Sequence, residues 1–359
     1  MAAGRVSREL SWHAARRLRY AVVVVLGAAG VLLIRLVFTM PATGRTPATG
    51  RTPAEVGQAS PASVPSERLV LAGSALYSYD VSSRHLQTLP VPDATPAARL
   101  GALALRAGTV VLTPAGQAFG AANGESLHAI GTGATNAILP DHDGDSVWLM
   151  TSGAAQLADV HGAKIEPPYP LPPGERVLAA LDSGLVLAPA DANRPGLIEV
   201  VDPRSRQVVR RVTEHGIALS AAADHVAWRG CNGSACPIQI TTVSKGDTAA
   251  LPALPAGYLA AGAPVLSPDN RHYAIPARQL SQLPAATTDL VTGRFAVDAR
   301  GFGGQVAVQQ LAGTGHPIAY ARNGTLIVDT VAGLRTLAPR TRGGQRLPPL
   351  PAFASFSVY

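Results

Sequence analysis

The chain has 359 residues, enough for one large domain or two ordinary ones, with 47% hydrophobic but only 5% aromatic residues, so any core is built from Ala, Val and Leu. Its net charge of +7 is unevenly placed: residues 1–40 carry Arg5, Arg8, Arg16, Arg17, Arg19 and Arg35 against Glu9, whereas residues 67–339 hold 19 basic and 21 acidic residues, a net of −2. The body is therefore near neutral, and that excludes the basic surface a nucleic-acid partner requires.

Only Lys164 and Lys245 are lysines, leaving 28 arginines among the 30 basic residues. With abundant Ala, Gly and Pro, this is the usage of a high-GC bacterial genome. Residues 1–19 are too short to fold alone and are expected in the cytoplasm. Residues 20–40, Tyr20 to Met40, are apolar apart from Arg35 near one end. About 20 such residues span a bilayer as a helix, with Arg35 reaching back to the interface. The arginines ahead of the run keep that side inside. An uncleaved anchor is expected over a cleaved signal peptide, because the run exceeds a usual h-region and no A-x-A site follows. The remainder then lies outside the cytoplasm, on a single-pass membrane protein.

Residues 41–66 are rich in Pro, Thr, Ala and Gly and include the tandem Ala42-Thr-Gly-Arg-Thr-Pro47 and Ala48-Thr-Gly-Arg-Thr-Pro53. Such a composition buries no core and is expected to act as an extended spacer.

From Glu67 onward, short apolar runs recur. Leu69-Val-Leu, Val110-Val-Leu, Val147-Trp-Leu, Leu185-Val-Leu, Val226-Ala-Trp, Tyr273-Ala-Ile and Ile318-Ala-Tyr start 41, 37, 38, 41, 47 and 45 residues apart. A period near 40–45 is that of four-stranded propeller blades. A second run follows each, as in Leu76-Tyr-Ser-Tyr-Asp80, Leu197–Asp202 and Leu326–Asp329. Between runs stand Gly, Asn and Asp, which tolerate the positive φ of hairpin turns. Apolar stretches also precede all but the first: Leu100–Leu105, Ala137–Leu139, Val177–Leu181, Ile217–Leu219, Pro264–Leu266 and Gln305–Leu311 are expected as inner strands. The seventh inner strand is expected from Phe353-Ala-Ser-Phe-Ser-Val-Tyr359, pairing with the first group.

The stretch Leu266-Ser-Pro-Asp-Asn-Arg-His-Tyr-Ala-Ile-Pro276 resembles the Ser-Pro-Asp-Gly segment of WD40-like and TolB-type β-propellers. The resemblance in layout covers residues 67–359. Only this copy carries Ser-Pro-Asp, Asn270 replaces the usual glycine, and no Gly-His…Trp-Asp signature is present. The resemblance implies a fold and no activity. The expectation is an all-β chain, a seven-bladed β-propeller with six or eight blades as alternatives, carried on one transmembrane helix.

Cys231 and Cys236 are the only cysteines, and outside the cytoplasm they are expected to form a disulfide. Their spacing is not Cys-x-x-Cys, and a second pair for a zinc site is absent. Asp141-His-Asp-Gly-Asp145 places Asp141, Asp143 and Asp145 in an alternating pattern seen in calcium loops. No glutamate completes the loop, and other repeats carry hairpin turns at the same place, so a turn is expected. His142, His225, His272 and His316 fall at or beside such turns and are expected to be exposed. Trp148 and Trp228 are expected to pack between blades. Asn232-Gly-Ser and Asn323-Gly-Thr match the glycosylation triplet by chance. No nucleophile elbow, His-Glu-x-x-His pair or phosphate loop occurs, so neither a catalytic residue nor a cofactor is expected. The function expected is a binding module at the cell envelope with a protein or envelope partner. A propeller lyase or hydrolase with its site at the central channel is the alternative.

Overall fold

The computed structural model describes residues 67–91, 96–131, 134–231, 236–279, 289–294, 307–310, 318–330, 333–337 and 345–359. The expected anchor (residues 20–40), the spacer (residues 41–66), His316 and Asn232-Gly-Ser lie outside them. Among the described residues, no helix is long and apolar enough to cross a membrane. Nearly all the regular structure is antiparallel β-sheet.

The first strands met are Arg68–Gly73 (β1), Leu76–Asp80 (β2) and His85–Leu89 (β3). Sheet 2 holds Gly101–Ala104 (β4), Gly108–Leu112 (β5), Ala118–Ala122 (β6) and His128–Ala129 (β7), and sheet 3 holds Ala137–Pro140 (β8), Val147–Met150 (β9), Ala154–Ala158 (β10) and Tyr169–Pro170 (β11). A seven-stranded sheet follows: Glu175–Leu181 (β12), Gly184–Pro189 (β13), Gly196–Val201 (β14), Val208–Ala222 (β15), His225–Arg229 (β16), Ile238–Thr242 (β17) and Thr248–Ala250 (β18). It divides at β15 into two four-stranded halves, sheets 4 and 5.

Sheet 6 holds Tyr258–Ala260 (β19), Val265–Leu266 (β20), His272–Gln279 (β21), Asp289–Arg294 (β22) and Ala307–Gln310 (β23), and sheet 7 holds Ile318–Tyr320 (β24), Leu326–Thr330 (β25), Gly333–Leu337 (β26) and Gln345–Arg346 (β27). The last strand, Phe353–Val358 (β28), pairs antiparallel with β1, Leu69 opposite Val358 and Leu71 opposite Phe356, and completes sheet 1 in the order β28-β1-β2-β3. That is the pairing expected for the carboxy-terminal segment.

The 15 residues of β15 serve two sheets. Val208 to Gly216 pair with β14, and Ile217 to Ala222 pair with β16. Gly216 sits where the strand changes partner. A Cβ there would come within 2.5 Å of Thr213 and 2.8 Å of the Trp228 ring. Gly184 is needed for a different reason: its φ is +135°, and a Cβ would lie 2.1 Å from the Val201 carbonyl oxygen.

Six of the seven recurring apolar runs are second strands of their sheets: β1, β5, β9, β13, β16 and β21. The seventh is corrected. Ile318-Ala-Tyr320 is the first strand of sheet 7, and Leu326–Thr330 is its second. The described part of the Gln305–Leu311 run, β23, pairs with β22 as the outermost strand of sheet 6, not as an inner strand. Both runs are short and apolar, and only the turn between them tells first from second. That turn is Arg322-Asn-Gly324, where the Gly324 amide donates to the Ala321 carbonyl at 2.9 Å.

Among the described residues, seven apolar clusters lie between neighbouring sheets. Val70, Leu76 and Leu89 of sheet 1 meet Ala104, Val111 and Phe119 of sheet 2. Trp148 and Leu157 of sheet 3 meet Leu185 and Val201 of sheet 4. The seventh cluster brings Ile327, Leu334 and Leu347 of the last sheet against Leu69, Leu71 and Tyr79 of the first. Both faces of each sheet are thus covered, so the strands read as continuous apolar triplets more than as alternation.

Cys231 and Cys236 are joined by a disulfide just after β16. Replacing both cysteines by serine should lower unfolding free energy by about 2 kcal/mol through the added freedom of the unfolded chain. Leu71→Ala, at a fully buried site between sheets 7 and 1, should cost about 2–5 kcal/mol. Val208→Ala, on the exposed outer part of β15, should stay within about 0.5 kcal/mol. Urea denaturation of the three variants checks the order.

Candidate binding cavity between the first strands

First strands of six of the seven sheets, with the turn after β20 of sheet 6, border one cavity of about 360 Å³. Its wall is formed by Ala104 of β4, Leu139 and Pro140 of β8, Leu178 to Leu181 of β12, and Ala221 and Ala222 of β15, with Pro268 after β20, Tyr320 of β24 and Val358 of β28. Small aliphatic residues dominate because each first strand faces the others at close quarters. Val177 of β12 goes instead into the cluster between sheets 3 and 4, and Leu181, at the end of the wall, also belongs to the cluster between sheets 4 and 5.

The rim is polar: Asp141, His142, Asp182, Arg322 and Tyr359. Arg322 comes from the turn of sheet 7 and reaches the turn of sheet 3, where its guanidinium donates to the His142 carbonyl at 2.5 Å. It also approaches the Tyr359 hydroxyl at 3.4 Å and stands 5.8 Å from the centre of that ring, a cation–π arrangement. Gly144 lies under the same ring, and a Cβ there would come within 2.4 Å of it. The His142 ring stands between two carboxylates, with Nδ1 3.2 Å from Asp141 and Nε2 4.0 Å from Asp182.

The Asp141–Asp145 segment is a hairpin turn between β8 and β9. The Asp141 amide donates to the Ser146 carbonyl at 2.9 Å and the Gly144 amide to the Asp141 carbonyl at 2.9 Å. Its three carboxylates have different partners. Asp141 accepts the Trp148 indole N–H at 2.8 Å, Asp143 accepts the Asp145 amide at 2.7 Å, and Asp145 pairs with Arg106. Among the described residues, no group of three His, Cys, Asp or Glu side chains is placed to hold a metal ion.

Most other aspartates of these turns cap backbone amides. Asp80 accepts from Ser83, Asp159 from His161 and Ala163, Asp202 from Arg204, Asp224 from Ser244, and Asp269 from Arg271. Asn270 has φ +60°, so it fills the glycine position of the Ser-Pro-Asp-Gly segment with a residue that tolerates this conformation. Burial opposes the charge of Asp269, but bonds from Ser267, the Arg271 amide and His272 outweigh it and hold its carboxyl below the usual range.

The histidines differ from expectation. His142 is exposed, but His225 is buried and the His272 side chain is nearly so, its Nδ1 2.8 Å from Asp269. His225 and His272 open strands β16 and β21. Trp148 and Trp228 pack between sheets as expected, with Trp228 donating to Thr241 at 3.0 Å. The sequence reading missed Arg322 and Tyr359. Aligning the last repeat by its Asn323-Gly324 turn, opposite Asp269-Asn270, would have put Arg322 on the rim.

No family model matches the chain, and no curated protein does. Solved structures similar in fold include dihydro-heme d1 dehydrogenase NirN in complex with DHE, at 12% identity and TM-score 0.45 over 80% of this chain. The chain spans 65% of that protein's length. A putative TolB from Agrobacterium tumefaciens matches at 11% identity and TM-score 0.41 over 69% of this chain and 90% of its own. The C-terminal WD40 domain of Sif2 matches at 12% and 0.45 over 76% and 92%. Each is a distant, β-propeller-like resemblance.

Burial is the main force on His225 and pushes its pKa below the ordinary 6.5, ahead of the opposing effects of Asp224 and an Asn270 hydrogen bond. The unfolded chain therefore takes up this proton first as pH falls. The stability that the neutral ring contributes is full above pH 6.5 and declines as pH drops below it. The melting temperature should fall between pH 7.5 and 5.5, and His225→Asn should flatten that slope.

Proposed function

We propose that the chain is a membrane-anchored, extracytoplasmic β-propeller of seven blades that binds a protein or cell-envelope partner at the mouth of its central cavity. The observation that carries this reading is the cavity wall, to which the first strands of six sheets and the turn after β20 of sheet 6 contribute. Supporting ring closure are the pairing of β28 with β1 and the apolar cluster shared by sheets 7 and 1. The residue 20–40 run and the arginines ahead of it support the anchor and its orientation. An aliphatic wall under a polar rim suits a partner that inserts an apolar group and hydrogen-bonds at the edge.

The alternative is a propeller lyase or hydrolase with its site at the central channel. One observation favours it: His142 stands between Asp141 and Asp182 at the rim. Against it, Asp141 is held by the Trp148 indole, and the Arg322 guanidinium at the rim is turned onto the His142 carbonyl. That leaves a tied turn more than a proton relay.

A photo-reactive side chain in place of His142, in cells, should cross-link an envelope partner, and one in place of exposed Leu86 on β3 should not. Arg322→Ala should reduce the cross-link. Protease added to intact cells should digest the body. Protection of the body would reverse the proposed orientation.

A further inference from the structure

A second cavity, a cleft of about 600 Å³, opens between sheets 3 and 4. Trp148, Leu157 and Leu185 lie at its floor. Ile165 and Val209 also line it, and they are 48% and 46% exposed, two of the few large aliphatic residues left open to solvent among the described residues. The buried cluster of Trp148, Leu157 and Leu185 between sheets 3 and 4 gives way here to this exposed pair, and the edge is acidic.

Asp141, Asp143, Asp182 and Asp202 surround the opening together with Glu166 and Arg204. The last two pair with each other at 2.5 Å, so the four aspartates face no further Lys or Arg among the lining residues. The Asp182 side chain is 85% exposed, with His142 4.0 Å away. Ser183 Oγ, buried in the same wall, has no hydrogen-bond partner. A cleft with apolar walls and one sign of charge concentrates that potential and draws the opposite sign. The complementary occupant is aliphatic and cationic.

The cleft and the central cavity share Asp141, His142, Ala180, Leu181 and Asp182. They therefore meet along the His142 turn, and an occupant can run from one to the other. A compact amine would fill only one of them, whereas an extended peptide advances about 3.3 Å per residue and can use both. We propose that the cleft binds a partner's extended peptide segment in which aliphatic residues alternate with Lys or Arg. The proposal rests on the docking reading above and names its partner class.

The test is fluorescence anisotropy with the full-length protein in detergent and two dye-labelled hexapeptides, one alternating leucine with arginine and one alternating leucine with glutamate. The arginine peptide should bind, more weakly at higher salt, and the glutamate peptide should not. Asp143→Asn with Asp182→Asn should weaken binding by about tenfold, and Ile165→Ser should weaken it with unchanged salt dependence. Asp182 and Ile165 are exposed and Asp143 is half-buried in its turn, and unchanged melting temperatures verify the fold. Equal binding of both peptides, no binding of either, or unchanged affinity in both variants overturns the proposal. Ala221→Leu, which fills the central cavity alone, separates the two readings. If it weakens binding and the cleft variants do not, the cleft proposal fails and the docking reading stands. If Ile165→Ser, which alters the cleft alone, weakens binding and Ala221→Leu does not, the cleft proposal holds and docking at the central cavity fails.

Discussion

The arrangement depends on one pairing, that of Phe353–Val358 with Arg68–Gly73. It joins strands from opposite ends of the described chain. The entropy of closing so long a loop grows only as the logarithm of its length, so the pairing is far less demanding than the separation suggests. In return, it gives β1 a neighbour on both edges and brings Phe353, Phe356 and Val358 to the Leu69–Leu71–Ile327 cluster. Without it, the cluster of Leu69, Leu71, Ile327, Leu334 and Leu347 would lose the packing of Phe353, Phe356 and Val358.

Few aromatic residues contribute to this packing, and the sheets compensate by being covered on both faces. A strand such as Val147-Trp-Leu-Met150 is buried at all four positions. Alternating residues feed the clusters on its two sides: Val147 and Leu149 one way, Trp148 and Met150 the other. The outer strands have only one neighbour and are accordingly short or polar. His128–Ala129, Tyr169–Pro170 and Gln345–Arg346 are two residues each, and His85–Leu89 is exposed at four of its five. Short, polar edges leave little for another chain to extend.

This packing explains what could be read from the sequence. Second strands are buried on both faces and so form apolar triplets, and that made Val110-Val-Leu, Leu185-Val-Leu and Tyr273-Ala-Ile legible. The turns were legible through Asp, Asn and Gly, because their chemistry is local. First strands were less so. One face borders the cavity and needs only small residues, so Ala221 and Ala222 give no more signal than a loop would. In the last repeat, a first strand, Ile318-Ala-Tyr320, resembled a second strand. The interval from Tyr273 to the true second strand at Leu326 is 53 residues rather than the 45 read from Ile318. The double use of β15 was hidden as well, since Val208–His215 is largely exposed and reads as a polar stretch. The cavity has no local signature at all: its wall is assembled from Ala104 to Val358, and only the order of the sheets brings those positions together.

Buried packing and exposed polar groups therefore reside in different parts of each repeat. Second and third strands carry the buried clusters, and aspartates in the turns are bonded to backbone amides. What remains free is a thin set on the cavity-facing side: the small residues of the first strands and the turn side chains that cap nothing. Asp182 belongs to that set. Asp224, at the corresponding turn of the next sheet, does not, because it accepts the Ser244 amide at 2.9 Å. Two aspartates of equal charge and equivalent position thus differ in what they can offer a partner. A carboxylate bonded to its own turn has fewer lone pairs to give, whereas Asp182, with an 85% exposed side chain, has the His142 ring 4.0 Å away. The difference lies in the turn each one occupies, so a rim residue such as Asp182 can change with little effect on the clusters that hold the sheets together.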